Sequence, residues 1–309
     1  MSIQVFIDGA VGTTGLEIRE RLSNRDEITL VTLDEAQRKD AAARAQALNA
    51  ADVVILCLPD DAAREAVAMI ANDRTRVIDA STAHRVADGW TYGFAELDEG
   101  QATRIAHARF VSNPGCYPTG FLALVAPLVR AGLVPADWPL TVNAISGYSG
   151  GGKALIERFE QDAGLAFRDY GFSLAHKHIP EMQQHAGLAY APVFAPMVTR
   201  AYRGMIVEVP LPLAALPARP TRDALLDALR SAYAGSALVR VHDDMPDELL
   251  IGTDDAGTDR LDLRVFTDAA NTQARLVATL DNLGKGAAGA AVQNLNIMAG
   301  LDPVAGLTL

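Results

Sequence analysis

The chain has 309 residues, 27 of them basic and 38 acidic, with a formal charge of -11, and half of it is apolar. That length predicts roughly two domains around a large core, while an acidic balance with no Lys/Arg run excludes nucleic acid and anionic membrane surfaces as partners. No stretch approaches the roughly 18 to 20 unbroken apolar residues of a spanning helix, and residues 1–7 pass into a strand pattern without a basic leader, so no secretory signal is expected.

The apolar run at 3–7 leads into Asp8-Gly9-Ala10-Val11-Gly12-Thr13-Thr14-Gly15 and then a helical pattern through Leu16, Ile18 and Leu22. Strand, glycine turn and helix in that order is the context a dinucleotide fingerprint requires. Here the glycines are spaced Gly-x-x-Gly-x-x-Gly, and they let backbone approach a pyrophosphate at the start of a helix. A second strand at 28–33 ends at Asp34, which suits a free ribose 2′-hydroxyl, whereas Arg38 and Lys39 just beyond suit a 2′-phosphate. A buried strand holding Cys57, a helix opened by Pro59-Asp60-Asp61 and a strand at 76–80 follow. Strands alternating with helices at this spacing predict a parallel, doubly wound sheet whose ligands lie at the carboxyl ends of strands. Ser81, Arg85 and Cys116 all follow such ends. Cys57 and Cys116 could pair, but a buried Cys57 and a reducing cytosolic setting are the simpler account.

A short β piece at 110–111 runs into Ser112-Asn113-Pro114-Gly115-Cys116-Tyr117-Pro118-Thr119 and an apolar helical pattern at about 121–133. A thiol at a helix mouth meets unpaired N–H groups and the positive dipole end, both of which favour thiolate. The competing reading makes Cys116 one more small buried side chain.

Next comes a strand at 140–145 and the glycine turn Ser146-Gly147-Tyr148-Ser149-Gly150-Gly151-Gly152-Lys153. It nearly spells a P-loop, but Ala154 stands where Ser or Thr must hold magnesium, which speaks against an NTPase. Such a turn with one lysine can still cradle an anion. His176-Lys177-His178-Ile179-Pro180-Glu181 is the densest titratable cluster, yet no further ligand stands at metal spacing, so no metal is expected. One of its histidines beside Cys116 would move protons, with Glu181 orienting it. Strand patterns at 204–209, 238–242, 261–266 and 274–280 and an amphipathic helix at 223–234 predict an α+β domain with a mixed or antiparallel sheet. The small-residue segment 281–296 predicts a last helix able to pack closely against the first domain.

These residues resemble the N-acetyl-gamma-glutamyl-phosphate reductase family, in its short bacterial form. The likeness runs the length of the chain and is carried by Gly9 to Gly15, Asn113-Pro114-Gly115-Cys116-Tyr117-Pro118-Thr119, the turn ending at Lys153, His176 to Glu181, and Asp281-Asn282-Leu283-Gly284-Lys285-Gly286-Ala287-Ala288-Gly289. The stretch from Asp79 to Arg85 follows the family pattern loosely, with Ser81 and Arg85 in place. The resemblance implies a Rossmann-like parallel-sheet domain over residues 1–115, completed by a C-terminal helix over 284–309. It also implies an α+β catalytic and association domain with a mixed sheet over 116–283. It implies a cytoplasmic homo-oligomer, dimer or tetramer, that uses NADP(H) to reduce a small acyl phosphate to an aldehyde.

The same resemblance implies roles for individual residues. Cys116 is the nucleophile and His178 or His176 the acid/base. Gly9, Gly12, Thr13, Thr14, Gly15, Arg38, Asn282, Lys285 and Gly286 hold the cofactor. Ser81, Arg85, Asn113, Ser149, Lys153 and Glu181 hold the substrate. Three alternatives accompany this reading: an aspartate-semialdehyde dehydrogenase, a non-catalytic dinucleotide-binding regulator with Cys116 in its core, and a substrate with another group than acetyl on its amino nitrogen.

Overall fold

The structure is a computed structural model that describes residues 2–252 and 257–309. The N-terminal apolar run forms β1 (Ile3–Asp8), followed by α1 (Thr13–Leu22), β2 (Ile28–Val31), α2 (Ala41–Ala50), β3 (Val53–Leu56), α3 (Asp60–Ala68), β4 (Arg76–Asp79), β5 (Thr91–Tyr92), α4 (Gln101–His107) and β6 (Phe110–Ser112). The six strands lie in the order β2-β1-β3-β4-β6-β5, with every pair parallel. All four residues of β3 are buried, the pattern expected of a parallel strand covered on both faces. The chain turns from β1 to β2 on one side and to β3 on the other, which makes the carboxyl end of β1 the switch point where such sheets bind ligands. The glycine turn stands there.

The second run of elements is α5 (Cys116–Arg130), β7 (Thr141–Gly147), α6 (Gly152–Gln161), β8 (Phe167–Asp169), α7 (Ile179–Ala186), β9 (Val193–Thr199), β10 (Met205–Leu211), α8 (Arg222–Ala232), β11 (Val239–Val241), β12 (Leu261–Thr267) and β13 (Ala274–Leu280). Its seven strands lie in the order β11-β12-β13-β10-β7-β9-β8. The pairs β7–β9 and β11–β12 are parallel and the rest antiparallel, so the sheet is mixed, as expected. Met205, Val207, Val209 and Leu211 of β10 alternate inward under α5. The other face stays open, with Ile145 and Val193 exposed.

A π-helical turn, Gly284–Ala288, leads into α9 (Gly289–Ala299). By its contacts the chain divides into two compact units. The first joins Met1–Ala95, Gly100–Pro114 and Ala287–Leu307, and the second joins Glu96–Glu99, Gly115–Gly286 and Thr308–Leu309. Helix α9 packs within the first unit on α1, α4 and β4, where Ala291, Val292 and Leu295 share a core with Val5, Ile55 and Ile78.

Several elements differ from expectation; α2, α4, β5 and β8 have no counterpart among the expected ones. Helix α5 begins at Cys116, which puts the thiol at a helix mouth as expected and carries the helix five residues ahead of the apolar pattern at 121, since Pro118 costs no hydrogen bond in a first turn. Its residues are buried without a break from Tyr117 to Leu128, so packing, rather than helix propensity, holds it. Strand β9 has no counterpart among the expected strands; Pro196 disguises it, and lies one residue outside the segment paired with β8. The expected linker at 211–220 contains a 3-10 turn, Leu213–Ala215.

Candidate active site

Within the first unit the glycine turn is a tight backbone knot. Gly9 has φ +90°, a conformation L side chains avoid, and a Cβ there would strike the Cys57 carbonyl. A Cβ on Gly15 would strike the Gly9 carbonyl oxygen, while the Gly12 N–H donates to that oxygen at 3.0 Å. Gly12 is different. A Cβ there would meet only Gly9 O at 3.4 Å, an ordinary contact, so the N-cap of α1, before Thr13 and Thr14, is not filled by protein backbone. No side chain caps that helix end. An uncrowded glycine and uncapped N–H groups at a switch point fit a dinucleotide pyrophosphate. Arg38 lines a cavity near the end of β2 together with Arg19.

At the end of β4, buried Asp79 organises the next turn. Its carboxylate accepts from Ser81 N at 2.9 Å and Ser81 Oγ at 2.7 Å, and lies 2.6 Å from His84 Nδ1. His84 stacks on Trp90 with ring centroids 4.0 Å apart. The Arg85 guanidinium, 8 % exposed, donates to Ala80 O at 3.1 Å. Asn113 is buried with both ends of its amide engaged, donating to Ala287 O at 2.9 Å and accepting from Asn294 at 3.1 Å. The Cys57 thiol is pushed up to about 12, first by burial and then by Asp79 and Asp8, which keeps it protonated.

Within the second unit Cys116 is the first residue of α5, partly exposed. Gly115 before it donates its N–H to Glu181 Oε1 at 2.7 Å, so a buried carboxylate from α7 fixes the turn leading to the sulfur. A Cβ on Gly286 would come within 2.9 Å of Cys116 Cβ, so the bare glycine backbone packs directly on the cysteine. That glycine belongs to a segment held by buried Asp281. Its carboxylate accepts from Gly257 N at 2.5 Å and Leu283 N at 2.7 Å, and its carbonyl accepts from Gly286 N at 3.0 Å. Ser149 accepts from Asn282 Nδ2 at 2.8 Å and donates to Tyr202 O at 2.5 Å. Lys285, 1 % exposed, pairs with Glu96 at 2.7 Å, whereas Lys153 is exposed on the first turn of α6.

The two histidines are distinguished by their surroundings. The His176 ring stands 4.8 Å from that of His178, among Tyr117, Tyr170 and Phe194. Burial, then Lys177 and Arg168, push His176 down to about 4, and its Nδ1 accepts from the His178 amide at 3.2 Å. It is a neutral imidazole at pH 7. His178 is the buried N-cap of α7, its ring 5.8 Å from that of Tyr117. Burial raises both phenols, Tyr117 and Tyr170, so they stay neutral beside Cys116. Tyr117, Tyr170, Asp281 and Glu96 carry no expectation from sequence. Tyr117 and Asp281 stood inside quoted motifs, but Tyr170 and Glu96 gave no local signal. Among the described residues no group of three or more His, Cys, Asp or Glu could hold a metal ion.

Comparison with known proteins agrees with this geometry. Residues 4–105 match the family model described as semialdehyde dehydrogenase, NAD binding domain, and residues 116–282 match semialdehyde dehydrogenase, dimerisation domain. Among solved structures, aspartate semialdehyde dehydrogenase II of Vibrio cholerae superposes with a TM-score of 0.72 at 18% identity, covering 97% of this chain and 99% of its own. The NADP complex of aspartate semialdehyde dehydrogenase from Candida albicans gives 0.66 at 15% identity, covering 97% of this chain and 99% of its own. At such identities these structures speak for the fold. Much nearer in sequence are two proteins named N-acetyl-gamma-glutamyl-phosphate reductase. The one from Trichormus variabilis is 50% identical over 318 residues, covering 98% of this chain and 99% of the relative. The one from Rhizobium meliloti is 51% identical over 307 residues, covering 96% and 99%. With half of its residues shared over nearly the whole length of both chains, the protein belongs to the N-acetyl-gamma-glutamyl-phosphate reductase family.

Proposed function

We propose that the chain reduces N-acetyl-gamma-glutamyl phosphate to N-acetylglutamate 5-semialdehyde and phosphate with NADPH, through a thioester on Cys116, as a step of arginine biosynthesis. The observation that carries this reading is the setting of Cys116: first residue of a buried helix, with Gly286 against its Cβ and paired imidazoles near the next residue, Tyr117. A helix start favours thiolate, and an acyl phosphate is a substrate that a thiolate attacks readily.

In the first step His178 takes the Cys116 proton and the sulfur attacks the acyl carbon. The carbon–oxygen bond to phosphate breaks, and the leaving phosphate takes that proton back. NADPH, when bound, supplies the hydride that turns the thioester into a tetrahedral oxyanion. Backbone N–H at the start of α5 stabilises that oxyanion. Its collapse re-forms the carbonyl, breaks the carbon–sulfur bond and returns the thiolate, which regains a proton from solvent through His178. His178 is preferred over His176 because a group titrating near 4 is a poor proton donor at neutral pH, and the Nδ1 of His176 is already engaged.

Exposed Lys153 and buried Arg85, with Ser81 and Ser149, hold the phosphate and the substrate carboxylate; Asn113 and Glu181 act on substrate from buried positions. Asn282, Lys285 and Gly286 serve the cofactor, together with Gly9, Gly12, Thr13, Thr14, Gly15 and Arg38. Residues 1–115 with 284–309 form the dinucleotide domain, and 116–283 the catalytic one. The open apolar sheet face, with Ile145, Phe167 and Val193 exposed, supports a homo-oligomer, dimer or tetramer. Reduced thiols suit a cytoplasmic setting.

The test is phosphate-dependent reduction of NADP by N-acetylglutamate semialdehyde, the reverse reaction. Cys116→Ser is expected to fall below about a thousandth of wild-type turnover. Full activity in that variant, or no activity in the wild type with this aldehyde, overturns the reading.

A further inference from the structure

We propose that His84 is a positioning residue: through the carboxylate of Asp79 it fixes the turn at 80–85, so that Arg85 meets an anionic group of the substrate in one set geometry. The inference rests on the reading of Arg85 as an anion holder under the proposed function, and it narrows that reading by giving Ser81 a supporting part in the hold.

Asp79 is the last residue of β4 and is fully buried. A carboxylate accepts and does not donate, so the groups bonded to it show where their protons lie. Its Oδ1 accepts from Ser81 N at 2.9 Å, and its Oδ2 accepts from the Ser81 hydroxyl at 2.7 Å and from His84 Nδ1 at 2.6 Å. The Nδ1 of His84 therefore carries a proton, and the one hydroxyl proton of Ser81 is committed to Asp79. Ser81 Oγ accepts in turn from Ala83 N at 3.1 Å. What remains on that oxygen is a lone pair, which a phosphate or carboxylate repels. Ser, His and Asp thus stand together without forming a hydrolase triad. Asp79 lies between the other two, and among the described residues no hydrogen bond joins Ser81 to His84, so the imidazole cannot take the hydroxyl proton.

The rest of the turn is pinned in the same manner. The His84 ring lies on Trp90, with centroids 4.0 Å apart and planes at 11°, and Trp90 meets Phe110 at 5.1 Å. Thr82 gives its N–H and its hydroxyl to Asp60, the first residue of α3, at 2.9 and 2.6 Å. Arg85 Nη2 donates back to Ala80 O at 3.1 Å. His84, held at its edge by Asp79 and on its face by Trp90, immediately precedes Arg85, so the ring sets where the arginine stem leaves the turn. Removing the imidazole would leave a buried carboxylate one donor short. A guanidinium already bonded to Ala80, the neighbour of Asp79, is a ready replacement, and its capture would withdraw it from the substrate.

The experiment measures the reverse reaction of the full-length protein, with separate KM values for phosphate, N-acetylglutamate semialdehyde and NADP. It compares the wild type with His84→Phe, His84→Asn, Ser81→Ala and the double variant His84→Phe/Ser81→Ala. His84→Phe keeps the stack on Trp90 and loses the donor. It is expected to raise about tenfold the KM of whichever anion Arg85 meets, phosphate or semialdehyde, with kcat and the NADP KM within about threefold. His84→Asn, which restores an N–H toward Asp79, should bring that KM back to within about threefold of wild type. Ser81→Ala should act through the same carboxylate, so the double variant should be no worse than the poorer single one. An unchanged KM for both anions in His84→Phe, or a rise shared by NADP, overturns the positioning role. Should His84→Phe fail to fold, a Ser81→Ala variant with wild-type KM for both anions overturns it instead. A double variant whose losses multiply puts Ser81 on the anion itself and overturns its supporting part. A wild type without phosphate-dependent turnover overturns the functional reading and the inference together.

Discussion

Two glycine-rich turns serve the proposed chemistry in opposite ways. In the turn after β1, a Cβ on Gly9 or Gly15 would strike protein backbone, but one on Gly12 would meet only Gly9 O at an ordinary 3.4 Å. In the turn before α9 there is no such latitude: a Cβ on Gly284 would strike the Thr258 carbonyl, and one on Gly286 would press on Cys116 at 2.9 Å. The first turn leaves one glycine uncrowded, while the second packs on the chain's own cysteine. Identical residue types thus stand in a proposed binding surface in one case and in internal close packing in the other.

The comparison can be broken most directly at Gly286. Gly286→Ala should displace Cys116 by a few tenths of an ångström or more and cut turnover about a hundredfold; near wild-type kcat would mean that the contact is not restrictive. Next in size is Gly9→Ala, where positive φ and the Cys57 carbonyl together predict a loss of about 2–4 kcal/mol in denaturant unfolding. Asp281→Ala should cost about 3 kcal/mol by stranding buried N–H groups of the second turn, and should slow turnover through Gly286. Gly12→Ala sharpens the contrast, since with φ -78° it is expected to unfold within about 0.5 kcal/mol of wild type yet bind NADPH about tenfold more weakly. Loss of stability without loss of binding would reverse the assignment of that turn.

The smallest effect concerns pH. His176 is lowered from 6.5 to about 4, so between those values the unfolded chain binds a proton that the folded one does not. Stability from this group is therefore full above about pH 6.5 and lost as pH falls toward 4. His176→Gln should flatten the rise of Tm across that window while leaving the acidic limb of the rate profile in place.

Much of the first unit was legible because its signals are local. A strand, a glycine turn and a helix follow one another within twenty residues, and the buried strands announce themselves as apolar runs. The apolar pattern of α5 begins only at 121, five residues into the helix, because Pro118, Thr119 and Gly120 are poor helix formers, and burial of the whole segment overrides them. Strand β9 was hidden by Pro196, whose cost depends on a neighbour's length. At the site, Cys116 and the histidines stood out by residue type. Their supports did not: Glu96 meets Lys285 across 189 positions, and Glu181 meets Gly115 across 66, distances over which no periodic pattern carries information. The separation of His176 from His178 required knowing which ring is enclosed by Tyr117, Tyr170 and Phe194.

Helix α9 sets an order of events for the newborn chain. The parallel sheet is finished in sequence by residue 112, yet Ala291, Val292, Leu295 and Met298, which complete its hydrophobic interior, leave the ribosome only after the Gly115–Gly286 stretch of the second unit. A fragment ending at residue 114 should therefore behave as a loosened, dye-binding state, and joining the 287–307 segment to it through a flexible tether should restore a cooperative melt.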